Sequence, residues 1–150
     1  LDIVEFNPKR AGILQKNLIR LKFINQIKII DALKIGETKK YDLILVDAPC
    51  SNTGVMRRRV DVRWRLNARE IPVLADGQLD LLNRAAPLLK HAGVIVYSTC
   101  SIESEENEGV IERFLQKHRQ FKQVSCRTIT PMRDGLDGAF VALLRRKKTV

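Results

Sequence analysis

Residues 41–50 read Tyr-Asp-Leu-Ile-Leu-Val-Asp-Ala-Pro-Cys (YDLILVDAPC), and this stretch decides the fold. Tyr41–Val46 is an almost unbroken apolar run of strand length, as expected of a parallel strand covered on both faces. It stops at Asp47, and Pro49 restricts both itself and Ala48. Working outward, Val94–Tyr97 is a second such strand, running into Ser98-Thr99-Cys100-Ser101. Between them lie a loop (48–64) and a helical stretch over Asn67–Lys90, with Leu79, Leu82, Ala86 and Leu89 as its apolar stripe, Pro72 limiting its start and Gly93 ending the region.

The same alternation continues in both directions. Leu1–Glu5 and Ile27–Ile30 read as strands, separated by a helix that Pro8 opens and whose apolar positions are Ile13, Leu14, Leu18 and Leu21. After Cys100, Ser101 or Ser104 is placed to cap a helix reaching about Lys117, with Glu103, Glu105 and Glu106 suiting its positive end. Phe121–Thr128 and Ala139–Arg145 look like two closing strands joined by a turn-rich Pro131–Gly138. The pattern is α/β with a mostly parallel sheet and a C-terminal antiparallel hairpin. Four strands end in Glu5, Asp31, Asp47 and Cys100, and ligands of such sheets bind beyond the carboxyl ends of the strands, so one ligand edge is expected.

With 150 residues, 45% of them apolar, the chain suits one domain with a real core. No apolar run approaches a membrane span and the acidic start is unlike a secretory signal, so a cytoplasmic protein is expected. Three cysteines without CxxC spacing argue against a disulfide framework and against zinc; no metal is expected. The net charge of +10 favours a polyanionic partner, and Arg57-Arg58-Arg59 followed by Arg63 concentrates that charge. Arg145-Arg146-Lys147-Lys148 reads as a frayed basic tail. His91 and His118 read as surface residues. Trp64 can stack on a base, although anchoring the loop is the simpler role.

Each candidate has a plain alternative. Glu5 can accept both ribose hydroxyls of a nucleoside cofactor or simply face a helix N-terminus. Asp31 can take an adenine amino group, with Ala32 beside the ring, or be a turn aspartate. Asp47 can hold the N3 edge of a pyrimidine. Cys50, under the arginine-rich loop, is expected to favour its thiolate or to be a small buried hydrophobe. Cys100 lies between a strand end and a helix start, where thiol acidity rises, or is a structural cysteine. Two cysteines at one edge suit methylation at carbon 5 of cytosine. A thiolate adding to carbon 6 makes carbon 5 nucleophilic, an acid near N3 stabilises the adduct, and a base removes the carbon 5 proton.

DAPCSNTGVMRRRVDVRW (Asp47–Trp64), YSTCSIESEEN (Tyr97–Asn107) and Asp137-Gly138-Ala139-Phe140 resemble the Sun/RsmB-like (Nop/Sun) RNA cytosine-5 methyltransferases. The resemblance implies a Rossmann-like S-adenosylmethionine-dependent sheet. It implies Cys100 as nucleophile, Cys50 as the cysteine that resolves the adduct, and Asp47 as a base contact, with Pro49 shaping its turn. It also places Glu5, Arg10, Asp31, Ala32, Asp47 and Pro49 at the cofactor and turns Arg57, Arg58, Arg59 and Arg63 towards RNA. Ribosomal RNA is the implied substrate, with transfer RNA as the alternative. The family's glycine-rich cofactor loop and its strand would precede Leu1, so residues 1–150 are expected to be one catalytic domain, incomplete at its N-terminal side. Departures from the pattern are Asn52 for glycine, Val60 for proline, His91-Ala92-Gly93 for Pro-Gly-Gly, and Ala139 for an aromatic. Competing readings are a DNA cytosine-5 methyltransferase using Cys50 and a non-catalytic RNA-binding scaffold. An amino methyltransferase acting on adenine expects an Asn/Asp-Pro-Pro-aromatic segment, which DAPC does not match.

Overall fold

The computed structural model describes residues 2–23, 26–28, 32, 36 and 40–147. They fall into two compact units, 1–38 and 39–150. In the first, β1 (Asp2–Val4) pairs in parallel with β2 (Gln26–Lys28), and α1 (Pro8–Arg20) connects them. Asn7 caps α1, its Oδ1 accepting from the backbone N–H groups of Lys9 and Arg10, and Pro8 follows at a position whose N–H would go unused anyway. The apolar stripe is only partly covered: Leu14 and Leu18 are half-buried, while Ile13 and Leu21 are exposed.

The second unit holds β3 (Tyr41–Asp47), β4 (Leu89–Thr99), β5 (Phe121–Ile129) and β6 (Ala139–Arg146) in the order β3-β4-β6-β5. β3 and β4 run parallel, while β6 lies antiparallel to both β4 and β5. The closing hairpin therefore exists, but its second strand inserts against β4 and leaves β5 at the edge. Described pairings are thus divided evenly between parallel and antiparallel. The basic Arg145 and Arg146 belong to β6, which corrects their reading as a frayed tail.

Helices α3 (Glu70–Ala85) and α4 (Glu108–Lys117) cover one face of this sheet. Leu82 and Ala85 of α3 and Val110, Ile111 and Phe114 of α4 meet Ile95, Tyr97, Phe140 and Leu144, all fully or nearly fully buried. Each such aliphatic or aromatic side chain contributes roughly 1.5–3 kcal/mol. Ile44 and Val46 of β3 pack against this core, but Leu43 and Leu45 are 60% and 64% exposed, so the expected cover on both faces is not met among the described residues.

Two boundaries differ from the sequence expectation. The long helix ends at Ala85, a single 3-10 turn follows at Ala86–Leu88, and β4 already begins at Leu89. Pro87 explains the break, since its ring and missing N–H interrupt an α-helical ladder. Gly93 is therefore inside β4, where an added Cβ would meet the Leu89 side chain and the Asp42 carbonyl, and Ala92 beside it has a left-handed φ of 60°. The other boundary is the start of α4, at Glu108 rather than near Ser101 or Ser104, with consequences at the site described next.

Candidate active site

The ends of β3 and β4 are adjacent, Asp47 pairing with Ser98 and the Ala48 N–H donating to the Ser98 carbonyl at 2.9 Å. Each strand continues into a loop bearing a cysteine. These loops meet so that the Cys50 and Cys100 sulfurs lie 3.2 Å apart, both half-buried and both free thiols. Asp47 accepts a 3.1 Å bond from the Ser98 hydroxyl and stays exposed.

A buried glutamate holds the loops in place. Glu106 is fully buried and accepts from the Ser51 N–H at 2.9 Å, from the Ser51 hydroxyl, and from Gln78 Nε2 at 2.9 Å. The same Gln78 amide reaches the Pro49 carbonyl at 2.9 Å. The Tyr97 hydroxyl lies 2.6 Å from the Glu106 carbonyl and 3.0 Å from Gln78 Oε1, its one proton shared between them. Glu106 was expected to serve a helix dipole. Because α4 begins two residues later, its carboxylate turns inward and ties the DAPC loop to α3 instead. Asn107 precedes α4 without capping it and spends its amide on the second loop, accepting from the Thr99 hydroxyl at 2.6 Å and donating to the Ser101 carbonyl at 3.0 Å.

Further ties join loop to loop. The Gly54 N–H donates to the Cys100 carbonyl at 3.0 Å, the Ile102 N–H to the Thr53 hydroxyl at 3.1 Å, and the Gly138 N–H to the Gly54 carbonyl at 2.7 Å. Gly54 and Gly138 approach so closely that a Cβ on Gly138 would stand 2.7 Å from the Gly54 Cα and 2.6 Å from the Ile102 side chain. That contact explains the glycine of Asp137-Gly138.

Asn52 has left-handed backbone, φ 64°, which among non-glycine residues asparagine tolerates well. This accounts for asparagine standing where the resembling family has glycine. Its Nδ2 donates to the Cys50 carbonyl at 2.7 Å, and its Oδ1 accepts from the Cys100 thiol at 3.1 Å and from Arg59 at 3.3 Å.

The two sulfurs differ in acidity. A hydrogen bond from Cys50, aided by Arg59, pulls the Cys100 thiol down to about 7 against burial and the Asp47 carboxylate. The same shared proton, together with burial, pushes the Cys50 thiol well above the ordinary thiol range. This corrects two expectations. The arginine-rich loop does not favour a Cys50 thiolate, and Cys100 owes its acidity to its neighbours rather than to a helix start, since α4 begins at Glu108.

Arg57 and Arg58 both pair with Asp137, Arg57 at 3.1 Å. Arg57 and Arg63 line a recess of about 240 Å³ with Met56, Leu136 and Asp137. Trp64 is 86% exposed and anchors nothing; Val62, fully buried on the short α2 (Val62–Arg65), does so. His118 is half-buried, stacked on Phe114 with its Nε2 2.8 Å from Asn83 Oδ1, and burial lowers its basicity, so it is not the plain surface residue expected.

In the first unit, Glu5 Oε1 accepts from the Asn7 N–H at 2.8 Å and from Arg10 at 2.9 Å. The Asn7 bond first, and then Arg10, hold this carboxyl below the usual range, so it is ionised. Ala32 is half-buried. Asp31 lies outside the described residues. Among the described residues no group of three or more His, Cys, Asp or Glu could hold a metal ion, and no helix is long and apolar enough to cross a membrane.

The sequence marks Glu106 only as a helix-end acid and Asn52 only as a departure from glycine, and it does not single out Gln78. Gln78 carries a signal, because it falls on the same helical face as Ala75, Leu82 and Ala85, where an amide is out of place unless paired.

Comparison with known proteins accords with this arrangement. Ribosomal RNA small subunit methyltransferase B of Yersinia pseudotuberculosis is 36% identical over 96% of this chain and 36% of its own length. The crystal structure of NSun6 from Pyrococcus horikoshii with SFG superposes with a TM-score of 0.88 at 27% identity, over 99% of this chain and 41% of that one. A methyltransferase homolog protein from the same organism gives 0.83 at 25% identity, over 97% and 52%. These likenesses make the sheet a Rossmann-like methyltransferase sheet, of which the chain spans about a third (36%) of the length of the curated relatives. The model of the 16S rRNA methyltransferase RsmB/F family matches residues 2–145, taking in both cysteine loops and the strands that present them, and the chain belongs to that family.

Proposed function

We propose that the protein methylates carbon 5 of cytosine in RNA, ribosomal RNA first, with Cys100 as nucleophile, in the cytoplasm, and that residues 1–150 serve as one catalytic domain. The observation that carries this reading is the pair of sulfurs 3.2 Å apart with opposite shifts in acidity. A thiol drawn down to about 7 is substantially thiolate at neutral pH, and the thiolate is the form that adds to carbon 6. The addition forms the S–C6 bond and moves an electron pair towards carbon 5. Asp47, exposed at the end of β3, would hold the N3 edge as charge develops.

The cofactor is S-adenosylmethionine, whose sulfonium would give its methyl group to carbon 5 and leave as a neutral thioether. An ionised Glu5 whose Oε2 is outside the described bonds suits a pair of ribose hydroxyls, and Arg10 would fix that carboxylate. Asp47 and Pro49 are further proposed cofactor contacts, and Asp31 and Ala32 are proposed to contact the adenine.

Cys50 then has a role that its acidity allows. While Cys100 is a thiolate, Cys50 is bound to it as donor and resists ionisation. Once Cys100 is bonded to carbon 6 that thiolate is gone, so the chief cause of the resistance disappears. Cys50 can then lose its proton to solvent and its thiolate takes the proton from carbon 5; the C5–H electron pair forms the C5–C6 double bond as the S–C6 bond breaks, returning Cys100 as thiolate. This sequence favours Cys100 over Cys50 as nucleophile and so weighs against the DNA-type mechanism. Arg57, Arg58, Arg59 and Arg63 would meet the RNA.

Covalent trapping tests the reading. The full-length protein with S-adenosylmethionine and RNA carrying 5-fluorocytosine is expected to give a denaturation-resistant adduct. Cys100→Ala should abolish it, while Cys50→Ala should retain it and accumulate adduct on ordinary RNA. Loss of the adduct in Cys50→Ala alone would reverse the roles. No adduct with any RNA, despite S-adenosylmethionine binding, would leave the scaffold reading.

A further inference from the structure

At the end of the sheet opposite the cysteines, four cations gather round a recess of about 360 Å³. Lys122, Arg145, Arg146 and Lys147 line it with Ala92, and none of the described lining residues is acidic. Lys122 and Arg145 are direct cross-strand partners on β5 and β6, both exposed. Like charges in that relation are unfavourable. Among the described residues no carboxylate pairs with any of the four. Arg146 donates instead to the Leu89 carbonyl at 2.8 Å and Lys147 to the Arg119 carbonyl at 2.7 Å, which fixes these two side chains and keeps their charge at the recess.

Edge protection explains part of this pattern. β5 is an edge strand, and a lysine there discourages pairing with another chain. It does not explain Arg145, because β6 has strands on both sides. An arginine on an inner strand, facing a lysine and without a carboxylate partner among the described residues, is explained by an anion that arrives from outside.

We propose that this recess is a second RNA-binding site, in which Lys122 and Arg145 hold phosphodiester oxygens of the substrate away from the reacting base; the proposal rests on the RNA reading above. Its class of ligand follows from its chemistry. The recess has four cationic donors, no aromatic ring for stacking and no large apolar side chain for insertion among lipids. Phosphate contacts of this kind supply affinity and register without sequence information. The Val94–Arg145 pair lies five residues along the strands from the Thr99–Phe140 pair next to Cys100, or about 17 Å at roughly 3.3 Å per residue. The site is therefore separate from the recess at Arg57 and Arg63, and an RNA touching both must extend along the sheet.

Lys122→Glu is the discriminating variant. It creates a favourable cross-strand pair with Arg145, so the fold should melt at the same or a higher temperature, while the recess loses its attraction for phosphate. With the full-length protein and its ribosomal RNA substrate, we expect several-fold weaker binding near 0.1 M salt. The plot of log affinity against log salt should flatten by about one to two. Lys122→Gln with Arg145→Gln should act in the same direction, and 5-fluorocytosine trapping at saturating RNA should be unchanged. An unchanged affinity and salt slope in both variants overturns the proposal while leaving the chemistry intact. A flattened slope with no adduct in the wild type upholds the site and refutes the cysteine mechanism.

Discussion

Replacing Glu106 by alanine should damage the molecule more than any change at its surface. Glu106 is fully buried and accepts three bonds, two from Ser51 and one from Gln78. Without it, the Ser51 hydroxyl can turn to Ser101 Oγ at 3.2 Å and Gln78 keeps the Pro49 carbonyl. The Ser51 N–H has no such second partner among the described bonds, and a buried donor left unsatisfied costs about 1–3 kcal/mol. The void left by the side chain adds to that, and no longer burying a carboxylate offsets part of it. A net loss of about 3 kcal/mol is expected, or roughly 6–12 °C in melting temperature for a domain of this size. Glu106→Gln keeps an acceptor for Ser51 and Gln78 and can donate to the Ser51 hydroxyl, so about 1 kcal/mol and roughly 2–4 °C are expected. Melting followed by circular dichroism separates the two. An alanine variant melting within about 2 °C of wild type, or a glutamine variant worse than alanine, would refute the network as the brace of the cysteine loops.

Other outcomes follow from the same geometry. Gly138→Ala forces a Cβ to within 2.7 Å of the Gly54 backbone, and the resulting strain should cost about 1–3 kcal/mol, read by urea denaturation. Alkylation of Cys100 should rise with pH through a midpoint near 7, because its acidity is enhanced and the thiolate fraction grows as pH passes that value. In Cys50→Ala the midpoint should move upward, since the donor that lowers it is gone; an unmoved midpoint in peptide-resolved labelling would contradict the assignment. Trp64→Ala should weaken RNA binding by about 1–3 kcal/mol if its exposed ring stacks on a base, and fluorescence titration measures this directly.

The order of strands and helices was legible from period and punctuation. YDLILV and VIVY are strands on either side of a helix, and Asp47 and Cys100 fall near their carboxyl ends as expected. The paired DAPC and STCS segments also pointed to two thiols brought together, and they meet. The misread boundaries were those where local signals conflict. Leu89 continues the apolar stripe of α3 in spacing, but Pro87 ends that helix before the stripe does. The serines and glutamates after Cys100 look like a capped helix start, but Ser101 and Glu106 find their partners in the neighbouring loop, at Ser51 and Thr53.

That contrast marks the division. By itself the sequence determined the α/β class, the placing of both cysteines after strands, the basic loop at 57–63 and the family, because these rest on periodicity and on short contiguous motifs. Only the tertiary structure decided which sulfur is acidic, that Glu106 is a buried brace rather than a helix cap, that Trp64 is free of the core, and that Lys122 faces Arg145. Acidity, satisfaction of buried polar groups and cross-strand pairing all depend on residues distant along the chain, and no local pattern encodes the distance between them.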